Sequence, residues 1–498
     1  MGHPTIYPTG VTIYDREAAW NGYTVFPSSK GIVLIDMNGR EVRVWRGLKG
    51  NPAKMLPGGY VMGSTGERAP WRHPFDNLDL VQVDWNGNIV WKFDKFEYVT
   101  DNGAAPRWIA RQNHDYQREG SATGYYSPGE APRVDGGNTL IIVNRDVVNP
   151  RISSKTLLDS TIIEVNWKGE IIWQWNANEH FDELGFGEAA KNVLYRLPAF
   201  AIGHGGNGFW LAMNSIARLG PNKWYDAGDE RFHPDNIVWD GRNANIMAVI
   251  SRKTGKITWR VGPDFDKTGG GLGQIIGQHH LHQIQRGLPG EGNFLVFDNG
   301  GWAGYGEPNG VSKYGTANQR RDYSRVLEFD PTTLEIVWRY TPAEAGHINP
   351  LDSYKFYSSF ESSAQRLPNG NTLITEARDG RIFEVTREHR TVWEYVSPYF
   401  RAVDYPRDGV LIDNTTYRAY RVPYEWVPQL NPPEETSVEA PNVRTLRVPG
   451  APLGSGGRVT KVEGVPPSGE KTVADPFRDV LSSAAAELSN FCVIDSGE

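Results

Sequence analysis

Apolar and polar positions alternate with period two over short runs along most of this chain, and one alternating phrase returns six times. The phrase is an alternating run, a turn, and a second β-branched run closed by tryptophan. Its copies span residues 32–45, 80–91, 162–173, 247–259, 326–338 and 382–393 and end at Trp45, Trp91, Trp173, Trp259, Trp338 and Trp393. In four copies the turn holds Asn-Gly, Lys-Gly or Thr-Gly, the chemistry of a tight hairpin. Period-two alternation on both sides of a turn predicts two antiparallel strands per copy. A second phrase recurs between copies, clearest at Leu367–Ile374 (LPNGNTLI) and recognisable at 56–62, 136–142 and 292–297.

Two hairpins per period make a four-stranded unit that cannot bury both faces alone. Six such units close into a ring, which removes their exposed edges. The expected fold is therefore all-β: a six-bladed β-propeller of four-stranded blades over 1–423, with long insertions and an irregular C-terminal tail over 424–498. The six tryptophans are expected between blades, because large aromatics dominate buried area. Successive tryptophans stand 46, 82, 86, 79 and 55 residues apart, so the middle blades carry the insertions, expected over one end of the channel. Residues 432–467 are rich in Pro, Gly, Glu and Ser. Within the tail, 442–448 is expected as a closing strand and 475–488 as a short helix.

Composition narrows the function. Over 498 residues the formal net charge is -7, and no basic stripe suggests nucleic acid. No apolar run approaches the ~18 residues of a membrane span. The start lacks the basic and apolar regions of a secretory signal, so a cytoplasmic protein is expected, or a periplasmic one if a signal has been removed. The single cysteine, Cys492, forms no internal disulfide. Oligomeric state is left open, a homo-oligomer included.

Candidate chemistry lies just before the second phrase. Arg111 to Gln117 (RQNHDYQ) carries His114, and Gly277 to Gln283 (GQHHLHQ) carries His279, His280 and His282 beside Gln278. If the repeats superimpose, His114 and His279 enter the channel from one end, and His204 is a candidate to join them. Converging imidazoles suit nucleophilic or general-base catalysis, stabilisation of an anion as cations, or metal binding through His280 and His282. Arg145, Arg378 and Arg381 follow inner-strand phrases and could clamp an anion, with a surface ion pair the expected role of Arg381. His73, His180, His233, His347 and His389 lie in loops or turns, and most of them read as solvated.

With these motifs placed, the chain resembles the arylsulfate sulfotransferase family over about residues 9–397. The resemblance rests on 10–15 (GVTIYD) with 22–26 (GYTVF), on His114-Asp115, on 210–216 (WLAMNSI), on Gln278-His279 followed by 297–300 (FDNG), and on Leu367–Ile374. It implies a six-bladed propeller that moves a sulfuryl group from a phenolic sulfate to another phenol without a nucleotide donor or other cofactor. A channel histidine of the family becomes a sulfohistidine, while other histidines and an arginine hold the sulfate. By this likeness His279 holds or receives the sulfuryl group, with His114 and His280 as further catalytic candidates. His282, Gln278, His204, Asn214, Arg378 and Arg145 are the substrate-binding candidates. The chain also departs from the pattern. The family's His-x-Asn-Ser is Ala212-Met213-Asn214-Ser215, the last blade offers Ser362 and Ser363 where a histidine is sought, and no arginine directly follows Asn299. Two other functions fit the same scaffold: a histidine-based hydrolase or lyase, which would use a divalent metal in its metal-assisted form, and a non-catalytic binding propeller.

Overall fold

A computed structural model describes residues 9–68, 76–101, 103–198, 208–405 and 409–441. It is a six-bladed propeller of four-stranded antiparallel sheets. Blade 1 takes its innermost strand, Tyr420–Val422, from beyond the last repeat and continues outward through Tyr23–Ser28, Gly31–Ile35 and Glu41–Trp45. Blades 2 to 5 are built in chain order from innermost strands Lys49–Leu56, Gln112–Arg118, Met213–Arg218 and His279–Gln283. Blade 6 starts at Ser363–Arg366 and gains a fifth, outermost strand, Gly10–Tyr14, paired with Thr391–Val396. Segments Gly10–Tyr14 and Tyr420–Val422 thus close the ring. The sequence-expected closing strand at 442–448, the helix at 475–488, His73 and His204 lie outside the described residues. Residues 424–441 run over the propeller: Glu435 accepts hydrogen bonds from Tyr14 Oη (3.2 Å), Tyr424 Oη (2.5 Å) and Met37 N (2.9 Å).

The repeated phrase is the outer hairpin of every blade. Gly39, Gly87, Gly169 and Gly255 sit at positive φ in four of its turns. Leu334 and His389 adopt the same left-handed conformation in the other two, where no glycine is available. The tryptophans do more than fill space. In each blade an indole Nε1–H donates to a backbone carbonyl in the outer turn of the next blade: Trp45 to Asp84, Trp91 to Trp167, Trp175 to Gly255, Trp259 to Pro331, Trp338 to Arg387 and Trp393 to Met37, at 2.8 to 3.2 Å. The chain of bonds returns to its start. Blade 3 corrects the sequence reading, because Trp175 makes this bond while Trp173 is half-buried beneath the Arg252 guanidinium, 4.5 Å from its ring.

A second device ties the blades. Opposite the tryptophan of three outer hairpins stands a glutamate that pairs with an arginine of the next blade's inner strand. These pairs are Glu164 with Arg218 (2.6 Å), Glu328 with Arg366 (2.7 Å) and Glu384 with Arg421 (2.5 Å). Between blades 2 and 3 the equivalent residues are Gln82, opposite Trp91, and Arg118.

Strand direction decides where insertions go. Antiparallel order sends the connections after second and fourth strands to the end where inner strands begin. The helical segments Ala177–Leu184 and Glu188–Arg196 and the accessory hairpins (97–109, 303–319, 401–413) therefore gather at that end. At the opposite end the long loop 119–138 brings Tyr125 under the channel, where its ring stacks on Tyr420 at 6.3 Å. No helix among the described residues is long and apolar enough to cross a membrane.

Candidate active site

The inner strands begin irregularly, and the irregularity places the chemistry. Register shifts interrupt the pairing of Gln112–Arg118, Met213–Arg218 and His279–Gln283 with their neighbours. At these bulges His114 (φ 56°), Ala212 (51°) and His280 (57°) are left-handed, as are Glu361 (64°) and Ser362 (85°) before the blade 6 strand. Non-glycine residues pay for this conformation, and such strain gathers at functional sites. The turn at His280 lets two consecutive side chains, His279 and His280, reach the channel.

At mid-channel lies an ionic centre. The Asp115 carboxylate accepts from Lys54 Nζ (2.6 Å), Arg418 Nη1 (3.3 Å) and the amides of Tyr116 (2.8 Å) and Ile216 (3.2 Å). Arg418, which is fully buried, also donates to Asn214 O (2.8 Å) and Oδ1 (3.2 Å), so the residue preceding the closing strand reaches across to blades 3 and 4. Burial lowers the Lys54 ammonium to about 8 against the opposing pull of Asp115, and raises the Asp240 carboxyl to about 7.

Toward the mouth, His279, Arg242, Glu361, Tyr417 and His114 form an upper cluster. His279 Nδ1 bonds Asn299 Oδ1 (2.7 Å) and its Nε2 accepts the Glu361 amide (3.1 Å). These partners set the proton on Nδ1. Burial first, then the charges of Arg242 and Arg418, hold His279 well below the ordinary histidine range. His114 Nδ1 bonds Asn113 Oδ1, which leaves Nε2 as its basic nitrogen, and its ring lies against Phe209 (6.2 Å) and Tyr417 (5.9 Å). Arg242 donates to Trp302 O (3.0 Å) and Ser359 O (3.2 Å), and burial lowers it to about 10.

Toward the opposite end His280 and His282 lie 4.5 Å apart. Each ring nitrogen has a partner: Ala364 O (3.0 Å) and Tyr420 Oη (3.3 Å) for His280, His280 O (2.9 Å) and Tyr125 Oη (2.8 Å) for His282. Burial and mutual repulsion push His280 well down, and burial lowers His282 to about 4. A metal bound here would have to displace these hydrogen bonds, and no group of three or more His, Cys, Asp or Glu among the described residues is arranged to hold one.

The structure thus brings together His114 and His279 at one end, with His280 and His282 deeper. Asn214 is spent on the frame, donating to Gln278 O (2.9 Å) and accepting from the His280 amide (3.2 Å). Gln278 donates into blade 4, to Ile246 O (2.8 Å). Arg378 lies over Phe360 (4.5 Å) near the mouth, while Arg145 is exposed on the rim. Arg381 makes the expected ion pairing, with Glu376 (3.2 Å) and Glu394 (2.6 Å), from a half-buried position in which it covers Phe383. His180 stacks on Trp175 (4.8 Å) and His389 on Trp338 (5.6 Å), so neither is simply solvated. Burial holds histidines 279, 280 and 282 below the ordinary histidine range, which disfavours the cationic one of the three roles considered for them. Positive charge comes from Lys54, Arg242 and Arg418, none of which carried a motif.

No curated protein matches the chain. Many solved structures do. One, a protein of unknown function from Bacteroides caccae, has 12% identity and TM-score 0.39, covering 81% of this chain and 99% of its own. A streptogramin B lyase has 11% identity and TM-score 0.33 over 84% and 94%, and the Dos1 propeller 11% and 0.31 over 87% and 88%. These likenesses carry nothing about the chemistry. The arylsulfotransferase (ASST) family model matches residues 130–393, a span holding Arg242, His279, Asn299 and Glu361. That span is more than half of the chain, and the protein belongs to the arylsulfotransferase family.

Proposed function

We propose that the chain transfers a sulfuryl group between small phenols at the upper cluster. The observation that carries the reading is a pair of buried imidazoles, His114 and His279, set among the buried cations Arg242 and Arg418 and beside the rings of Phe209 and Tyr417, in a chain of this family. An aryl sulfate needs all three features: an aromatic wall for its ring, fixed guanidinium charge for the sulfonate oxygens, and a neutral nitrogen as nucleophile.

In this reading His114 is the nucleophile and His279 a positioning residue. His114 keeps its proton on Nδ1 and attacks sulfur through Nε2, while the sulfur–oxygen bond to the donor phenol breaks. His279, with both nitrogens engaged, holds the surrounding frame. A second phenol then attacks sulfur and regenerates the imidazole. Covalent transfer splits one hard displacement into two easier ones.

The test is nucleotide-free release of p-nitrophenol from p-nitrophenyl sulfate by the purified full chain, with and without phenol. Phenol-dependent release that falls at least a hundredfold in His114→Ala is the expected result. No phenol-dependent release from the unaltered chain overturns the reading.

A further inference from the structure

We propose that the Glu361 carboxyl is a further catalytic residue of the upper cluster, taking the proton of the acceptor phenol and returning one to the departing phenolate. This rests on the sulfuryl-transfer reading above. Three observations carry it. The first is a closed ring of hydrogen bonds: Glu361 N–H donates to His279 Nε2 (3.1 Å), His279 Nδ1–H to Asn299 Oδ1 (2.7 Å), and Asn299 Nδ2–H to Glu361 O (2.9 Å). Both backbone polar groups of one residue are clamped by the buried His279–Asn299 pair.

The second is what the clamp holds. Glu361 and Ser362 are consecutive non-glycine residues at φ 64° and 85°. Each costs on the order of 1 kcal/mol or more, and the surroundings must over-determine them to persist. Here they do: besides the ring, Ser362 N–H donates to Tyr417 O (3.2 Å) and Ala377 N–H to Ser362 Oγ (3.1 Å).

The third is the side chain that this backbone presents. Glu361 Oε2 is buried and has no hydrogen-bond partner among the described residues. A buried carboxylate oxygen left unsatisfied calls for an explanation. The charged and titratable groups acting on it from neighbouring segments are Arg378, Arg401, Arg242, Arg418, Asp413 and Tyr417. Burial nonetheless outweighs those cations and raises the carboxyl above its ordinary range, toward the pH at which it can exchange protons.

The steps balance. As His114 Nε2 bonds sulfur, the sulfur–oxygen bond breaks and the leaving phenolate takes the proton of Glu361. As the acceptor oxygen bonds sulfur, its proton passes to the Glu361 carboxylate, and the sulfur–nitrogen electron pair returns to the imidazole.

Two acceptors separate proton transfer from binding: phenol, and a nitro- or polyhalogenated phenol already ionised at the assay pH. With p-nitrophenyl sulfate as donor, Glu361→Gln lowers kcat on phenol about a hundredfold or more. It changes kcat on the ionised acceptor less than tenfold, and it abolishes the acid-side limb along which the phenol reaction rises with pH. Glu361→Asp keeps a carboxyl on a shorter stem, and the limb persists at a displaced pH. Thermal melting confirms that each variant is folded. Equal losses on both acceptors, or an unchanged pH profile in Glu361→Gln, overturn the assignment while sulfuryl transfer stands. Absence of phenol-dependent turnover in the unaltered chain overturns both.

Discussion

At the junction between blades 2 and 3 an inner-strand arginine lacks the carboxylate that it meets at three other junctions, and Gln82→Glu should supply it. At those three a carboxylate meets the inner-strand arginine, as Glu328 meets Arg366 at 2.7 Å. Arg118 has no such partner. Its guanidinium lies between the rings of Trp91 (4.4 Å) and Trp167 (4.9 Å), its Nη1 makes one long bond to Gly137 O (3.4 Å), and its Nε and Nη2 are buried without acceptors. Burial accordingly lowers Arg118 to about 10. Gln82 spends Nε2 on Val134 O (3.0 Å) and leaves Oε1 unpartnered. A carboxylate there adds a hydrogen bond between charged groups, about 1.5–3 kcal/mol, and forfeits the Val134 bond, about 1 kcal/mol. Desolvating the new charge is offset by a guanidinium whose own burial is at present uncompensated. The net expectation is a gain of about 1 kcal/mol, roughly fivefold in the folded-to-unfolded ratio. Urea unfolding of wild type, Gln82→Glu, Arg118→Met and the double variant measures it as a cycle. The gain should turn into a loss in the Arg118→Met background, with a coupling of at least about 1.5 kcal/mol. Equal shifts of the urea midpoint in both backgrounds would refute the repeat-based assignment.

Two further outcomes are expected. Lys54→Met removes the nearest cation from buried Asp115 and should cost about 3–5 kcal/mol, partly recovered when Asp115→Asn is added; a loss under 1 kcal/mol in urea unfolding would show that Arg418 alone balances the carboxylate. His282 is held neutral, with a folded value of about 4 against about 6.5 unfolded, so the unfolded chain binds the extra proton first. Stability from this group is complete above pH 6.5 and is lost as pH falls toward 4, by roughly 2–4 kcal/mol. His279 and His280 act with the same sign. His282→Gln should flatten the dependence of the urea midpoint on pH over that window, and an unchanged slope would contradict the assignment.

The blades were legible because their signals are local. A hairpin turn, period-two alternation and a closing tryptophan all lie within fourteen residues, and register within a hairpin follows from the turn. Trp175 escaped because an indole two residues further along stays on the same face of the strand and still reaches the next blade. The ionic centre was not legible. Asp115 meets Lys54 from blade 2 and Arg418 from the segment just before the closing strand, 303 residues away, and only ring closure makes these neighbours. No spacing rule relates them.

The missing histidine of the last blade is a different kind of failure. Aligning Ser358 to Gln365 against the histidine segments of other blades assumes an unbroken strand. Two left-handed residues in succession break the alternation there and offset the backbone, so the position facing His279 is not the one an ungapped comparison selects. What stands there is Glu361, its amide on the imidazole and its carboxyl among arginines. A carboxylate cannot replace an imidazole as the carrier of a sulfuryl group held through nitrogen, but it can carry the proton that such a transfer moves. On the reading proposed above, the covalent role falls to His114 and the acid–base role to the last blade, and the two-acceptor comparison tests the second of these.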